Sequence, residues 1–400
     1  MLTAINQFHK RMDLNTIRKE TRGCTDKIFL NSAGSSLVSD AVFDQVINIL
    51  TEEAQIGGYA LAYANQQGVD EFYIETAKLL NCAPENISFQ NSATDAYAKA
   101  ISSIEFKAGD VILTTDDDYI SNQISFLSLK KRFGIEIIRA GNLANGDLDL
   151  VAFEELVKQH QPKLVALTHI PTSSGLVQAA AEVGAICRKY NCWYLVDACQ
   201  SVGQLVVDVK EIGCDFLAAT GRKFLRGPRG TGFLFVADRA LEAGLAPLVI
   251  DMIGGDWSSV DHYTLQPTAK RFEFWESSLA GRLGLKEAVK YANQLGMANI
   301  EKYNTDLMSH FRNQLKTVKG LNLQDWGSKV SNILTFTMDH HTTEEIAAHL
   351  RTHDVYFSIA FAGSAMIDFP KKNIESAIRL SPHYFNTAEE LEKVVAILDF

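Results

Sequence analysis

Cysteine is scarce and unpatterned in this chain: six residues in 400, at positions 24, 82, 187, 192, 199 and 214, with no CxxC pair and nothing after Cys214. That excludes the usual zinc spacings and a disulfide framework, and makes buried, reduced thiols the expectation. No apolar run is long enough to span a bilayer, and the start, Met1 to Lys10, lacks the apolar core of a secretion signal. A cytoplasmic protein without a membrane role is expected. Cations are in deficit, 38 Lys and Arg against 48 Asp and Glu, and the net charge of -10 is the wrong sign for a general nucleic-acid binder. Only 8 prolines occur, with no repeat, low-complexity tract or long linker, so neighbouring domains should pack directly.

What is present is an alternation of strand and helix patterns. Val111 to Thr114, Ile135 to Ile138, Leu164 to Leu167 and Tyr194 to Val196 read as strands, and Val151 to His160 and Ala179 to Tyr190 as the amphipathic helices between them. This is the signature of a doubly wound α/β domain with a mostly parallel sheet. Beyond about residue 265 long helical segments take over (Arg282 to Gln294, Ile300 to Val318), then strands with helices at Thr343 to His353 and Ala388 to Leu398. The expected organisation is a large α/β domain over 20–265 and a smaller α+β domain over 266–400, completed by the N-terminal segment 1–19.

The chemistry is concentrated in two stretches. Cys192-Trp193-Tyr194-Leu195-Val196 has the bulk of a buried parallel strand, so Asp197 falls at its carboxyl end, where open α/β sheets bind ligands. A second apolar run, Asp215 to Ala219, then leads into Thr220-Gly221-Arg222-Lys223, and the return of the chain brings Lys223 to the same edge. A carboxylate to keep a ring nitrogen protonated, an amine to condense with an aldehyde, and a cation-rich, glycine-rich turn are what pyridoxal 5'-phosphate requires. Asp197 and Lys223 are therefore the expected catalytic residues.

With these motifs, and with Asn31-Ser32-Ala33-Gly34 at one end and Ile378-Arg379-Leu380-Ser381-Pro382-His383 at the other, the chain resembles the class V aminotransferases. These are fold-type I pyridoxal phosphate enzymes that include cysteine desulfurases, selenocysteine lyases, isopenicillin epimerases and C-S lyases. Within the group it looks most like the hercynylcysteine sulfoxide lyase type, through Ile56-Gly57-Gly58-Tyr59, Gly227-Pro228-Arg229-Gly230 and the Arg379 motif followed by Asn386-Thr387. The resemblance implies a homodimer acting on a small amino-acid substrate.

Further site residues follow from the resemblance and from the same physics. Ser92, Ala93 and Thr94 open a helical stretch whose free amides suit the cofactor phosphate. Thr220, Arg222 and Arg229 would face its other side, although Arg222 stands where many relatives have histidine. Tyr119 takes the place of the histidine that stacks on the cofactor ring, and can also move a proton. Thr172 and Gln200 would lie by the ring's phenolic oxygen. Arg379 would clamp the substrate carboxylate, with Ala33 and Tyr59 also near substrate. Where desulfurases reach a neighbouring subunit's phosphate with threonine, this chain has Glu276-Ser277-Ser278; Ser277 or Ser278 substitutes, or the loop faces substrate.

The resemblance also exposes a departure. Desulfurases carry a nucleophilic cysteine on a C-terminal-domain loop, and the counterpart here, Phe357 to Met366, offers only serines. Elimination at a C-S bond, giving pyruvate and ammonia, is the expectation that follows; desulfuration, epimerisation and transamination are the alternatives. Two features read as dull: Asp116-Asp117-Asp118 as a solvated turn without metal, and the scattered histidines as structural or solvated. The Arg226 to Gly230 turn could be a nucleic-acid patch, against the overall acidity.

Overall fold

The computed structural model describes residues 12–400. Residues 1–11, most of the segment expected to complete the small domain, lie outside that range. The strands of the first part are β1 (Ile28–Phe29), β2 (Ile87–Gln90), β3 (Val111–Thr115), β4 (Glu136–Ala140), β5 (Leu164–Thr168), β6 (Trp193–Asp197), β7 (Phe216–Thr220) and β8 (Gly232–Val236). All but β1 form one seven-stranded sheet in the order β2-β8-β7-β6-β5-β3-β4. Only β8 runs against the rest: it is antiparallel to both β7 and β2, while β3, β4, β5, β6 and β7 pair in parallel.

Continuous apolar strands are what a sheet covered on both faces demands. Every residue of β3, β5, β7 and β8 is buried. Successive side chains alternate faces. Val165 and Leu167 join one core with Val196 and Leu217, while Leu164 and Ala166 join another with Leu195 and Phe216. The edge strand β4 is the half-exposed exception, and it begins at Glu136, one residue past the expected start.

A hairpin of β9 (Gly255–Ser259) and β10 (His262–Leu265) precedes the second part, whose four-stranded antiparallel sheet has the order β11-β12-β15-β14: β11 (Leu321–Leu323), β12 (Leu334–Met338), β14 (Ser358–Phe361) and β15 (Ser376–Leu380). Helices Thr343–Thr352 and Ala388–Leu398 share its core with Phe311, Phe336 and Ile378. The two long helices span Leu279–Leu295 and Met297–Leu315. Their boundary is Gly296 at φ +82°, which ends one helix and starts the next three residues earlier than the apolar spacing suggests.

The N-terminal strand ties the two parts together. β1 pairs in parallel with β13 (Val355–Tyr356), and Asn31 bridges to Ser381. Arg18 donates to the Phe385 carbonyl (2.7 Å) and pairs with Glu390 (2.7 Å). Among the described residues no helix is long and apolar enough to cross a membrane.

Candidate active site

Because β2, β3, β5, β6 and β7 all point the same way, the turns that follow them share one edge of the sheet. Those turns carry Ser92, Asp118 and Tyr119, Thr172, Cys199 and Gln200, and Lys223. The sheet thus assembles from five loops what is scattered over more than a hundred residues of chain.

Lys223 is 7 % exposed, and its amine is held below the usual lysine pKa, first by burial and further by Arg222 and Arg379; Cys199 and Asp197 act the other way. Its Nζ lies 5.8 Å from the centre of the Tyr119 ring. Asp197, 5 % exposed, is fixed at both oxygens: Oδ1 accepts from the Cys199 amide (2.9 Å) and Oδ2 from Asn122 Nδ2 (3.1 Å). The same Asn122 amide lies 3.0 Å from Asp118 Oδ1 and 3.2 Å from Thr168 Oγ1, and the Thr168 hydroxyl donates to Asp118 (2.6 Å).

The triple aspartate is therefore no solvated turn. Asp118 accepts from Thr168, Asn122, Gln123 and the Tyr119 amide. Asp117 is 5 % exposed, and burial, helped by Asp368, pushes its carboxyl up to about 6. Asp116 pairs with Lys371. Contacts from elsewhere in the fold decide each case, and the local sequence carries no mark of them. Among the described residues no three His, Cys, Asp or Glu side chains are grouped to hold a metal ion.

Across the edge, Gln200 Nε2 donates to the Ala33 carbonyl (3.2 Å) and to Thr172 Oγ1 (3.0 Å). Arg379, on β15, donates to Thr172 Oγ1 (2.8 Å), the Thr172 carbonyl (3.1 Å) and Asn31 Oδ1 (3.4 Å). Burial, with Arg222 nearby, brings its guanidinium down to about 10. Two polar atoms here are buried with no partner: Gln200 Oε1 and Arg379 Nε. A buried site with an idle acceptor and an idle donor is built for a polar ligand.

At the other end Ser92 caps the helix Ala93–Ser102, its side chain accepting from the Asp95 amide (3.1 Å), while Ala93 and Thr94 sit in the first turn. Gly232 opens β8 beside this turn; a Cβ there would stand 3.0 Å from the Ser92 carbonyl carbon and 3.1 Å from the Ala93 nitrogen. Only glycine allows that approach.

Not every expected residue is placed as the sequence suggests. Thr220 turns its hydroxyl to the Thr231 carbonyl (3.4 Å), and Arg222 reaches the Gly34 carbonyl, toward Arg379. Arg229 is exposed. Ser277 accepts from Arg282 (3.1 Å) and Ser278 caps the helix Leu279–Leu295, so both hydroxyls are engaged within their own chain. Tyr59 is 83 % exposed on the short helix Gly58–Ala64, outside this chain's buried cluster.

Sequence reasoning passed over several residues. Asn122 lies in the first turn of the helix Ile120–Phe133 and reaches back to Asp118, just before that helix. Asn31, quoted only as part of a motif, is a partner of Arg379. Cys199, between Asp197 and Gln200, is close enough to Lys223 for their charges to interact, and its thiol is pushed well above its usual pKa by burial and by Asp197. His383 is fully buried and neutral: Nε2 donates to the Phe224 carbonyl (2.7 Å), next to Lys223, and burial holds its pKa well below the histidine range. Arg226 is 2 % exposed, donating to the Leu37 carbonyl (2.8 Å) and Thr21 Oγ1 (2.6 Å), which removes it from any surface patch.

Comparison with known proteins agrees with this geometry. The family model described as aminotransferase class-V matches residues 28–394. A probable cysteine desulfurase of Methanothermobacter thermautotrophicus is 27 % identical over 391 residues, 95 % of this chain and 96 % of that protein. The apo cysteine desulfurase of Thermococcus onnurineus NA1 superposes with a TM-score of 0.88 at 23 % identity, covering 96 % of this chain and 97 % of that one. A C-DES mutant with glycine covalently linked to its PLP cofactor superposes with a TM-score of 0.84 at 22 % identity, covering 96 % and 99 %.

Proposed function

Since the chain belongs to the class V aminotransferase family, with the fold-type I architecture and the pyridoxal phosphate chemistry of that family, we propose that it cleaves the C-S bond of a cysteine-derived amino acid by β-elimination. The residues present fit the cofactor: a buried amine of lowered pKa, a carboxylate fixed at a strand end, a helix N-terminus with free amides, and the idle acceptor of Gln200. When bound, pyridoxal phosphate supplies a ring that withdraws the charge left at the substrate carbon.

The chain's own residues supply the rest. Asp197, held by Asn122 and the Cys199 amide, would sit opposite the ring nitrogen of the bound cofactor. Tyr119 would lie against the ring and the Ser92 to Thr94 turn would take the phosphate, while Arg379 would offer its idle Nε to the substrate carboxylate. Lys223 takes the Cα proton; the C-S bond breaks, sulfur leaves Cβ with the bonding pair, and water converts the three-carbon product to pyruvate and ammonia. Arg379→Ala is expected to lower kcat/KM by about 30-fold to 1,000-fold, the effect of leaving a charged group without its partner, with the visible absorbance of the bound cofactor unchanged.

The observation that carries elimination is the absence of a thiol from Phe357 to Met366. Cys199, close to Lys223, is held as the protonated thiol. A desulfurase must pass sulfur to a thiolate. The names of the relatives favour the second reading, desulfuration, more than they favour elimination. Product analysis separates the two: a cysteine S-conjugate or its sulfoxide is expected to yield pyruvate and ammonia, and free cysteine with a reductant little alanine. Alanine as the main product from cysteine would replace elimination by desulfuration. The likeness to the hercynylcysteine sulfoxide lyase type belongs to the same test, through its sulfoxide arm.

The proposal includes a homodimer. Tyr59, Tyr63, Leu248, Val249, Met252 and Trp257 are 83 %, 87 %, 78 %, 68 %, 66 % and 79 % exposed, large apolar side chains that a second copy would cover. A second copy covering that surface would bring Tyr59 to a site it does not reach in its own chain.

A further inference from the structure

One nitrogen joins two carboxylates at the edge of the sheet. Asn122 Nδ2 donates to Asp197 Oδ2 (3.1 Å) and to Asp118 Oδ1 (3.0 Å), so the two acids stand no further apart than two hydrogen bonds in series. Like charges that close repel, and the fold brings them together all the same.

The way Asp118 is held bears on its charge. Oδ1 accepts from the Thr168 hydroxyl (2.6 Å), the Tyr119 amide (2.7 Å) and Asn122, and Oδ2 accepts from Gln123 Nε2 (2.7 Å) and the Thr114 hydroxyl (3.1 Å). Donors reach both oxygens, which is the surrounding an ionised carboxylate needs. Desolvation works the other way and raises this half-buried carboxyl above its usual range. None of the five donors is cationic, and among the described residues no lysine, arginine or histidine forms an ion pair with Asp118. The charge is therefore supported without being cancelled, and neutral groups alone lie between it and Asp197. A polar acceptor ahead of the helix Ile120–Phe133 needs no charge, since asparagine serves there equally well. An aspartate adds only the anion.

We propose that Asp118 and Asn122 are positioning residues that act through Asp197 on the bound cofactor, Asp118 as a second negative charge and Asn122 as the amide that fixes both carboxylates, and that together they keep the ring nitrogen protonated. A proton shared between that nitrogen and Asp197 is harder to remove with a second anion behind it. An amide donor favours the charged form of the carboxylate it reaches, which leaves the proton on the ring. The inference deepens the cofactor site described above and holds for elimination and desulfuration alike. Three other titratable groups face the pair. Tyr97, from the helix Ala93–Ser102, keeps its phenol proton through burial and then through Asp118 and Asp197; Cys199 keeps its thiol proton through burial and Asp197; and Lys223 lies near Asp197. Tyr97 and Cys199 are thus neutral, and neither replaces the charge of Asp118.

The test reads the ring proton without turnover. Holoenzyme is reconstituted with pyridoxal phosphate labelled with 15N in the ring, and the nitrogen chemical shift is followed from neutral pH into alkali. The parent is expected to show a protonated ring at neutral pH. Asp118→Asn should lower the pH at which the proton is lost by about one unit, the effect of removing one nearby charge in partly screened surroundings, and Asn122→Leu should lower it similarly. Thermal midpoints measured beside it separate this from packing, because a variant that only loosens the fold lowers the midpoint and leaves the nitrogen titration where it was. Should the variants at Asp118 and Asn122 not fold, Gln123→Leu removes one donor from Asp118 at a half-buried position; it should move the titration the same way by about half a unit. A nitrogen titration that follows the parent's in the folded variants would overturn the inference and leave Asp197 in its role. An unprotonated ring in the parent at neutral pH would remove Asp197 as the ring's partner, and the inference with it.

Discussion

Lys223→Ala is expected to reduce turnover by at least about a thousandfold, within the range for removing a general base, while leaving the thermal midpoint unchanged or slightly raised. The two halves of this expectation have one cause. The amine is buried, its charged form is disfavoured by burial and by Arg222 and Arg379, and no carboxylate lies within salt-bridge distance of it among the described residues. A group in that position contributes chemistry rather than stability, so its loss costs the fold little. Borohydride reduction of the parent protein should fix the cofactor to Lys223, as read by peptide mass spectrometry, and the variant should show no such adduct. Activity within tenfold of the parent, or an adduct on another lysine, would remove Lys223 from the centre of the site.

The second large effect falls on stability. Arg226 is 2 % exposed, sits at φ +62°, and fastens the Lys223 turn to the N-terminal part of the chain through the Leu37 carbonyl and Thr21 Oγ1, with Tyr384 and Phe385 rings each 5.0 Å from its guanidinium carbon. Arg226→Met keeps the bulk and the backbone cost but leaves the buried Thr21 hydroxyl and the part-buried Leu37 carbonyl without this donor, at about 1–3 kcal/mol for a buried acceptor. A loss of about 2–4 kcal/mol is expected, which lowers the thermal midpoint by roughly 2–5 °C in a chain of this size. Since Arg226 lies three residues from Lys223, activity should fall as well, and the cofactor absorbance should broaden. A midpoint within 1 °C of the parent, to an order of magnitude, would mean that the contacts contribute nothing net.

Arg226 also marks a limit on reading the chain by eye. In Arg226-Gly227-Pro228-Arg229 it looks like a surface turn, since arginine in a glycine-proline setting usually is; what buries it is Thr21 and Leu37, about two hundred residues earlier. Asp197 and Lys223 were legible because a strand written entirely in bulky apolar residues announces its own end, and ligands gather there. The parallel strands were found the same way. The antiparallel turn of β8 and the hairpin β9-β10 were not: the direction of a buried strand leaves no trace in its composition, and all of the hairpin but Gly255 and Leu265 is exposed, without a strand's apolar alternation. Asn122 was missed for another reason. An asparagine in an amphipathic helix is ordinary, and its meaning comes from Asp118 just before the helix and Asp197 at the end of a strand.

The segment from Asn31 to Ser36 meets the site mostly through its main chain. The Ala33 carbonyl takes Gln200, the Gly34 carbonyl takes Arg222, and the Ser36 amide donates to the Arg222 carbonyl at 2.8 Å. What is inherited there is a route rather than a spelling. Residues along it can be exchanged during evolution as long as they are small enough to pass, Ala33 being 2 % exposed, whereas inserting or deleting a single residue would shift every carbonyl out of register at once. Related chains should therefore vary in letters across this stretch and hold its length.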